Sequence, residues 1–261
     1  MRTRSLVSGR AALLVAGMLF LVRTASADDI RVMTSGAFTA AYRGLLPHLE
    51  RSVKSKVVTA ATSMGTGSDS IPSRLARGEA VDVVIMADDA LRQLIKDGRV
   101  MADSRVELAR SGIGMAVRAG APKPDIGSLD ALKRTLLQAK SIAYSASVSG
   151  HYLSTELFQR LGIADQVRGK SRRIDGERVG AVVARGEAEI GFQQISELLP
   201  EPGIDYVGPL PPEVQRVTVF SAGVAASSKN ADAAHALIRF LASPEAAGTV
   251  AKSGLEPIVA R

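Results

Sequence analysis

Short apolar runs in this chain end, again and again, in small hydroxyl-rich turns that carry glycine, and each turn opens a segment of helical pattern. Three turns stand out: Thr34-Ser35-Gly36-Ala37, Ser63-Met64-Gly65-Thr66-Gly67-Ser68 and Ser145-Ala146-Ser147-Val148-Ser149-Gly150. Strands that feed helices in this way imply an α/β fold of parallel-rich sheets with helices on both faces. Each turn also leaves backbone N–H groups unpaired at the positive end of a helix dipole, which is an anion site in waiting. Ligands of open parallel sheets bind at the carboxyl ends of the strands, where these turns lie. Several such turns converging on one cleft would make a receptor for a small anion.

The alternation can be followed along the chain. Ile30 to Met33 reads as a strand and Ala37 to Leu49 as a helix, with Phe38, Ala41, Leu45 and Leu49 on one face and Pro47 as a kink or restart. Lys56 to Ala61 and Val81 to Met86 read as strands around a helix over Ser70 to Arg77 that Gly78 stops. Asp88 is placed to cap the next helix. Beyond it come strands at Gly112 to Arg118, Ser141 to Tyr144, Glu189 to Phe192 and Val214 to Ala226. Helices are expected at Leu129 to Gln138, His151 to Leu161, Val179 to Arg185, Ala231 to Leu241 and Pro244 to Lys252, the last with proline at its first position. Leu198 to Pro212 holds five prolines and reads as a loop with a strand inside it.

Residues Met1 to Ala27 read as a cleavable secretory signal. Arg2, Arg4 and Arg10 form a cationic start, Ala11 to Val22 an apolar run too short to span a bilayer comfortably, and Ala25-Ser26-Ala27 a small-residue cleavage site. Without its four arginines the net charge of +7 falls to about +3, so composition makes no case for nucleic acid. The chain has no cysteine, which removes disulfides, thiolate metal sites and a cysteine nucleophile. His48, His151 and His235 are too scattered to argue for a metal, and no cofactor motif is present.

Three blocks carry a family likeness: Ile30 to Ala41, Leu75 to Leu91 (LARGEAVDVVIMADDAL) and Val183 to Gln194 (VARGEAEIGFQQ). In order, and behind an export signal, they resemble the type II periplasmic binding proteins of the molybdate-binding group. The resemblance implies a two-lobed α/β fold with two hinge crossings, near Arg110 to Ala116 and Gln215 to Ala222. Residues 28–110 with 216–261 would form one lobe and 111–215 the other. It also implies a monomer that captures a small anion in the periplasm and delivers it to an inner-membrane ABC permease. The ligand contacts it implies are Ser35, Gly36 and Ala37 in the first turn, Gly65, Thr66, Gly67 and Ser68 in the second, Ser147, Ser149 and Gly150 in the third, and Gln193 and Gln194.

This chain departs from the family pattern at two of those places. Ala37 stands where the family has a serine, and Gln194 where it has a tyrosine. Glutamine offers donors and acceptors together, which favours a small organic carboxylate over molybdate or tungstate as ligand. Plain readings stand beside these. Each turn can be a simple helix cap, Ser149 can cap the helix that follows it, and Arg172 and Arg173 can be a solvated pair instead of a grip on a carboxylate. His151, just after the third turn, is within reach of a ligand there. With no G-x-S-x-G elbow, no H-E-x-x-H and no P-loop, the expectation is a receptor without catalytic residues. A ligand sensor that docks on a membrane receptor is the remaining alternative to transport.

Overall fold

The computed structural model describes residues 29–60, 62 and 67–259. The signal reading and the turn positions Ser63, Met64, Gly65 and Thr66 lie outside the described residues. Eleven strands are described: β1 (Ile30–Thr34), β2 (Val57–Ala60), β3 (Val83–Ala87), β4 (Val106–Ser111), β5 (Ile113–Arg118), β6 (Ile142–Ser145), β7 (Ser171–Ile174), β8 (Ile190–Gln194), β9 (Ile204–Pro209), β10 (Thr218–Val224) and β11 (Glu256–Pro257). They form two sheets, ordered β11-β4-β10-β3-β1-β2 and β7-β6-β8-β5-β9.

Each sheet has a core of three parallel strands, β2-β1-β3 in the first and β7-β6-β8 in the second. Antiparallel strands extend both cores, because the chain passes between the sheets and returns. It crosses at Gly112, where β4 gives way to β5, and again between β9 and β10. In the first sheet β10 therefore lies antiparallel between β3 and β4, and in the second β5 lies antiparallel between β8 and β9.

The apolar periodicity of the sequence is spent as expected. Helix Gly36–Val53 buries Phe38, Ala41, Tyr42, Leu45 and Leu49, and packs on helices Ala231–Leu241 and Pro244–Lys252. Gly44 permits that approach, since a Cβ there would sit 2.9 Å from Thr249 Cγ2. The helix runs on through Pro47, which falls late enough for the packed face to hold both sides. Helix Leu129–Gln138 has the expected bounds, with the Ser128 hydroxyl capping it through Ala131 N at 3.2 Å. The helix expected from His151 begins a turn earlier, at Val148–Tyr152, and continues through a π-turn at Leu153–Leu157 to Phe158–Arg160. Its first turn buries Ser149 and Gly150, which an apolar count passes over.

Side-chain amides brace the crossings. Gln215 accepts from Ile113 N at 2.7 Å and donates to Ile113 O at 3.0 Å, so one side chain pairs a whole backbone unit. Gln194, oriented to satisfy both ends of its amide, donates to Ser111 O and Gly112 O at 3.1 Å and accepts from Thr218 Oγ1 at 3.0 Å.

Asp88 does not cap its helix, Asp88–Lys96. Its carboxylate instead accepts from Arg92 Nε at 2.6 Å, Arg105 Nε at 2.6 Å and Ser221 Oγ at 2.7 Å, tying the helix to β10 and to the start of β4. Burial works to raise this carboxyl, but hydrogen bonds from Arg105, Ser221 and Arg92 hold it down at about 2. The stability it supplies is present above the ordinary carboxylate range and is lost as pH falls toward 2. Asp88→Asn is therefore expected to cost about 2 kcal/mol near neutral pH and to flatten the acid limb of the stability profile. Urea titrations at neutral and acid pH check this, and an unchanged midpoint at both would refute it.

Candidate functional site

A cleft of about 210 Å³ opens between the two sheets, at the carboxyl ends of their parallel cores. One wall comes from the first sheet. Thr34 ends β1, Gly36 and Thr39 begin the long helix, and Arg43 lies one turn on; Thr59, Ala60 and Thr62 come from the end of β2. The other wall is the turn after β7: Gly176, Glu177 and Arg178. Gly176 has φ +78°, a left-handed conformation that lets the chain reverse sharply from strand into helix Val179–Ala184.

The first wall presents the start of a long helix. Ser35 is the N-cap of the eighteen-residue helix, yet its hydroxyl makes no capping bond and is buried without a hydrogen-bond partner among the described residues. Its amide donates to Ile85 O at 2.8 Å and its carbonyl accepts from Thr39 Oγ1 at 2.8 Å, so the turn itself is held fast. No acidic residue occupies the first helical turn, and the positive helix end is left for something else to neutralise. Thr62 donates to Thr34 O at 2.7 Å, and Thr59 shares a 2.9 Å hydrogen bond with Tyr42. Burial pushes the Tyr42 phenol up to about 12, so it remains a neutral prop behind Thr59. Arg43 is exposed on the cleft side.

The second wall carries both signs of charge. Arg178 is paired with Glu201 at 3.3 Å and also faces Glu197. Glu177 is exposed and paired with Arg185 at 3.0 Å. Behind this wall lies Glu197, whose carboxyl is pushed up to about 7 by burial, against the opposing pull of the Arg178 charge and a hydrogen bond from Gln193. Gln193 is itself fully buried, and its amide oxygen accepts from Val179 N at 2.9 Å, capping the helix that Arg178 leads.

The residues singled out from the sequence fall in different places. Gly36 lines the cleft, with Ser35 and the buried Ala37 on either side of it in the chain. Gly67 and Ser68 are exposed; Ser68 O accepts from Arg77 at 2.6 Å, and neither residue lines the cleft. Gly65 and Thr66 lie outside the described residues. Ser147 and Ser149 join Ser145 in a hydroxyl triangle, with Ser145 Oγ 2.7 Å from Ser147 Oγ and 3.0 Å from Ser149 Oγ. The triangle caps β6, one strand over from the Gly176 turn, and Gly150 backs it. Gln193 and Gln194 are buried and hold the scaffold. Arg172 and Arg173 are exposed on β7, paired with Glu187 and Asp175. Asp88 is taken up by its two arginines, and His151 is exposed. Sequence reasoning passes over Arg43, Thr59, Glu177 and Arg178. A sign for the last two lies in Asp175-Gly176-Glu177-Arg178, a turn signal directly before a helix.

A larger hollow of about 350 Å³ lies between Lys123–Gly127 and Val207–Pro212, lined mostly by proline, glycine and backbone, and shares no residue with these turns. Among the described residues no group of acids and histidines is arranged to hold a metal, and no helix is long and apolar enough to cross a membrane.

Residues 30–256 match the family model described as bacterial extracellular solute-binding protein. A protein of a Pseudomonas species named aconitate isomerase is 48% identical over 233 residues, 89% of each chain. The structure also resembles the periplasmic molybdate-binding protein of Azotobacter vinelandii, with a TM-score of 0.70 and 18% identity over 89% of this chain and 100% of that one. The sulfate-binding protein SubI of Mycobacterium tuberculosis gives a TM-score of 0.70 and 18% identity, covering 88% of this chain and 87% of that one. The fold is thus that of the type II, molybdate-binding-like periplasmic binding proteins.

The isomerase overturns the expectation of a protein without catalysis: a relative of this similarity carries an enzyme's name. Hydrolase elbows, zinc helices and P-loops serve nucleophilic, metal and phosphoryl chemistry. Moving a proton within a bound acid needs none of them, so their absence from the sequence could not exclude an enzyme. By the match across residues 30–256 and the identity to this relative, the chain belongs to the bacterial extracellular solute-binding protein family.

Proposed function

We propose that this protein binds aconitate, a three-carboxylate unsaturated acid, between its two sheets and interconverts the cis and trans isomers. The observation that carries the reading is the cleft itself: Arg43 on one wall, Arg178 on the other and the uncompensated helix end beside Gly36 give separate cationic points, in a chain 48% identical to an aconitate isomerase. Separate grips suit a ligand whose carboxylates are spread along a carbon chain. A compact tetrahedral oxyanion could engage one such point and would not span the rest.

The chemistry needs only proton transfer. A C–H bond of the methylene carbon breaks, and its electron pair spreads over the three-carbon allylic unit and its carboxylates. The proton returns to the far terminal carbon, whose double bond has meanwhile moved across. No oxidant is consumed, and the conformation in which the methylene arm was held fixes the geometry of the product. Arg43, Arg178 and the helix end supply fixed positive charge where the carbanion's charge develops. Residues 28–110 with 216–261 and residues 111–215 act as the two lobes in this reading, closing on the ligand about the braced crossings.

Incubation with cis-aconitate is expected to produce trans-aconitate, followed by proton NMR. Calorimetric titration is expected to show aconitate binding well above molybdate binding. Tight molybdate binding with no change in aconitate would overturn the reading. Family membership favours a second reading: a periplasmic protein, freed by cleavage after Ala27, that hands its bound carboxylate to an inner-membrane ABC permease.

A further inference from the structure

We infer that Glu177 is the general base that removes and returns the allylic proton, an assignment that rests on the isomerase reading above. Among the described residues that line the cleft, Glu177 is the one carboxylate; the others are hydroxyl, glycine, alanine and arginine side chains. Threonine hydroxyls and guanidinium groups do not accept a proton near neutral pH, whereas a carboxylate does. A carboxylate in an anion cleft also repels the ligand it faces. A receptor that only captures anions gains nothing from it, so its presence there calls for a chemical use.

The surroundings supply what a base in such a cleft needs. Arg185 pairs with Glu177 at 3.0 Å and is itself shared with Glu187 at 2.7 Å. Arg178 follows directly in the chain and lines the same wall. These two cations offset the repulsion between Glu177 and the bound tricarboxylate. Gly176, at φ +78°, sets the turn so that Glu177 and Arg178 are presented together toward the cleft. One residue then performs both halves of the shift: the Glu177 carboxylate takes the methylene proton, becomes a carboxylic acid beside the allylic carbanion, exchanges with solvent at its exposed position, and gives a proton to the other terminal carbon. Proton and electron pair both balance, with no further reactant.

Glu177→Gln tests this, since the amide keeps shape and hydrogen bonding but cannot accept the proton. The side chain is exposed, so the variant is expected to fold as the parent does. Aconitate affinity is expected to stay within about threefold or to rise, as one like charge is removed. Isomerisation is expected to fall by about 10² to 10⁴-fold. Deuterium incorporation from heavy water into bound aconitate should fall in step while affinity holds, a split between binding and turnover that a purely structural role would not produce. An unchanged isomerisation rate in the variant, with the parent active, would overturn the assignment of Glu177 alone. A parent protein that binds aconitate without isomerising it would overturn the function reading instead, so the two failures are distinguishable.

Discussion

Gly150→Ala is expected to destabilise the protein by about 3 kcal/mol or more, close to the upper end for overpacking a closed site. A Cβ at this position would lie 1.7 Å from Ser145 O, 2.7 Å from Ser145 C and 2.9 Å from Ser145 N. All three are backbone atoms of β6, which is paired on both sides within the second sheet, so no flexible side-chain end can move aside. Relief would require the helix to lift off the strand, pulling Ser147 and Ser149 away from Ser145 and dissolving the hydroxyl triangle. Gly169→Ala is the control: its φ is −69° and none of the described residues lies within 4 Å of the added carbon, so a change within about 0.5 kcal/mol is expected. Urea unfolding of both variants decides the matter through the midpoint at constant m value, and equal midpoints would refute the clash.

Glu197→Gln is expected to have the opposite sign above neutral pH. Burial raises the Glu197 carboxyl to about 7, and its Oε1 has no hydrogen-bond partner among the described residues. A group whose folded value is raised contributes stability that is complete below its unfolded value of 4.5 and is lost as pH climbs through about 7. The parent therefore forfeits about 3 kcal/mol across that interval, because holding a carboxyl protonated through one further pH unit corresponds to about 1.4 kcal/mol. A glutamine has no proton to lose and keeps a neutral side chain throughout. The variant should match or slightly trail the parent at about pH 4 and exceed it by about 2–3 kcal/mol at about pH 8. Parallel unfolding curves at the two pH values test this; a stability difference that does not change with pH would show that Glu197 does not titrate in this interval.

Most of the architecture is legible because it is written in periodicity. The apolar stripe of Phe38, Ala41, Leu45 and Leu49 marks its helix, and Ser128, Gly78 and Pro244 punctuate others where their backbone preferences require. Strand β4 is harder to see than its continuation into β5, since Val106-Glu107-Leu108-Ala109-Arg110 alternates too weakly to stand apart from the neighbouring run. The first turn is legible as a corner of the cleft for a local reason: the N-cap, the helix and the strand end are consecutive in the chain. Its counterpart is not. Arg43 sits on an amphipathic helix where an arginine reads as ordinary surface, and Glu177 and Arg178 meet Thr34 and Thr59 only through the arrangement of two sheets. Gln193 and Gln194 have the right chemistry for a ligand contact, but burial turns their amides toward Val179, Ser111 and Thr218. Residue type alone does not distinguish a polar side chain that serves the cleft from one that serves the frame behind it.

Strand β7 ends the second sheet, and its outward backbone would ordinarily invite a foreign strand to dock. Arg172 and Arg173, exposed there and tethered to Glu187 and Asp175, put bulky, hydrated charge along that rim. A crowded solution of these molecules thus gains little from stacking edge to edge, since an incoming strand would have to seat beside that solvated charge.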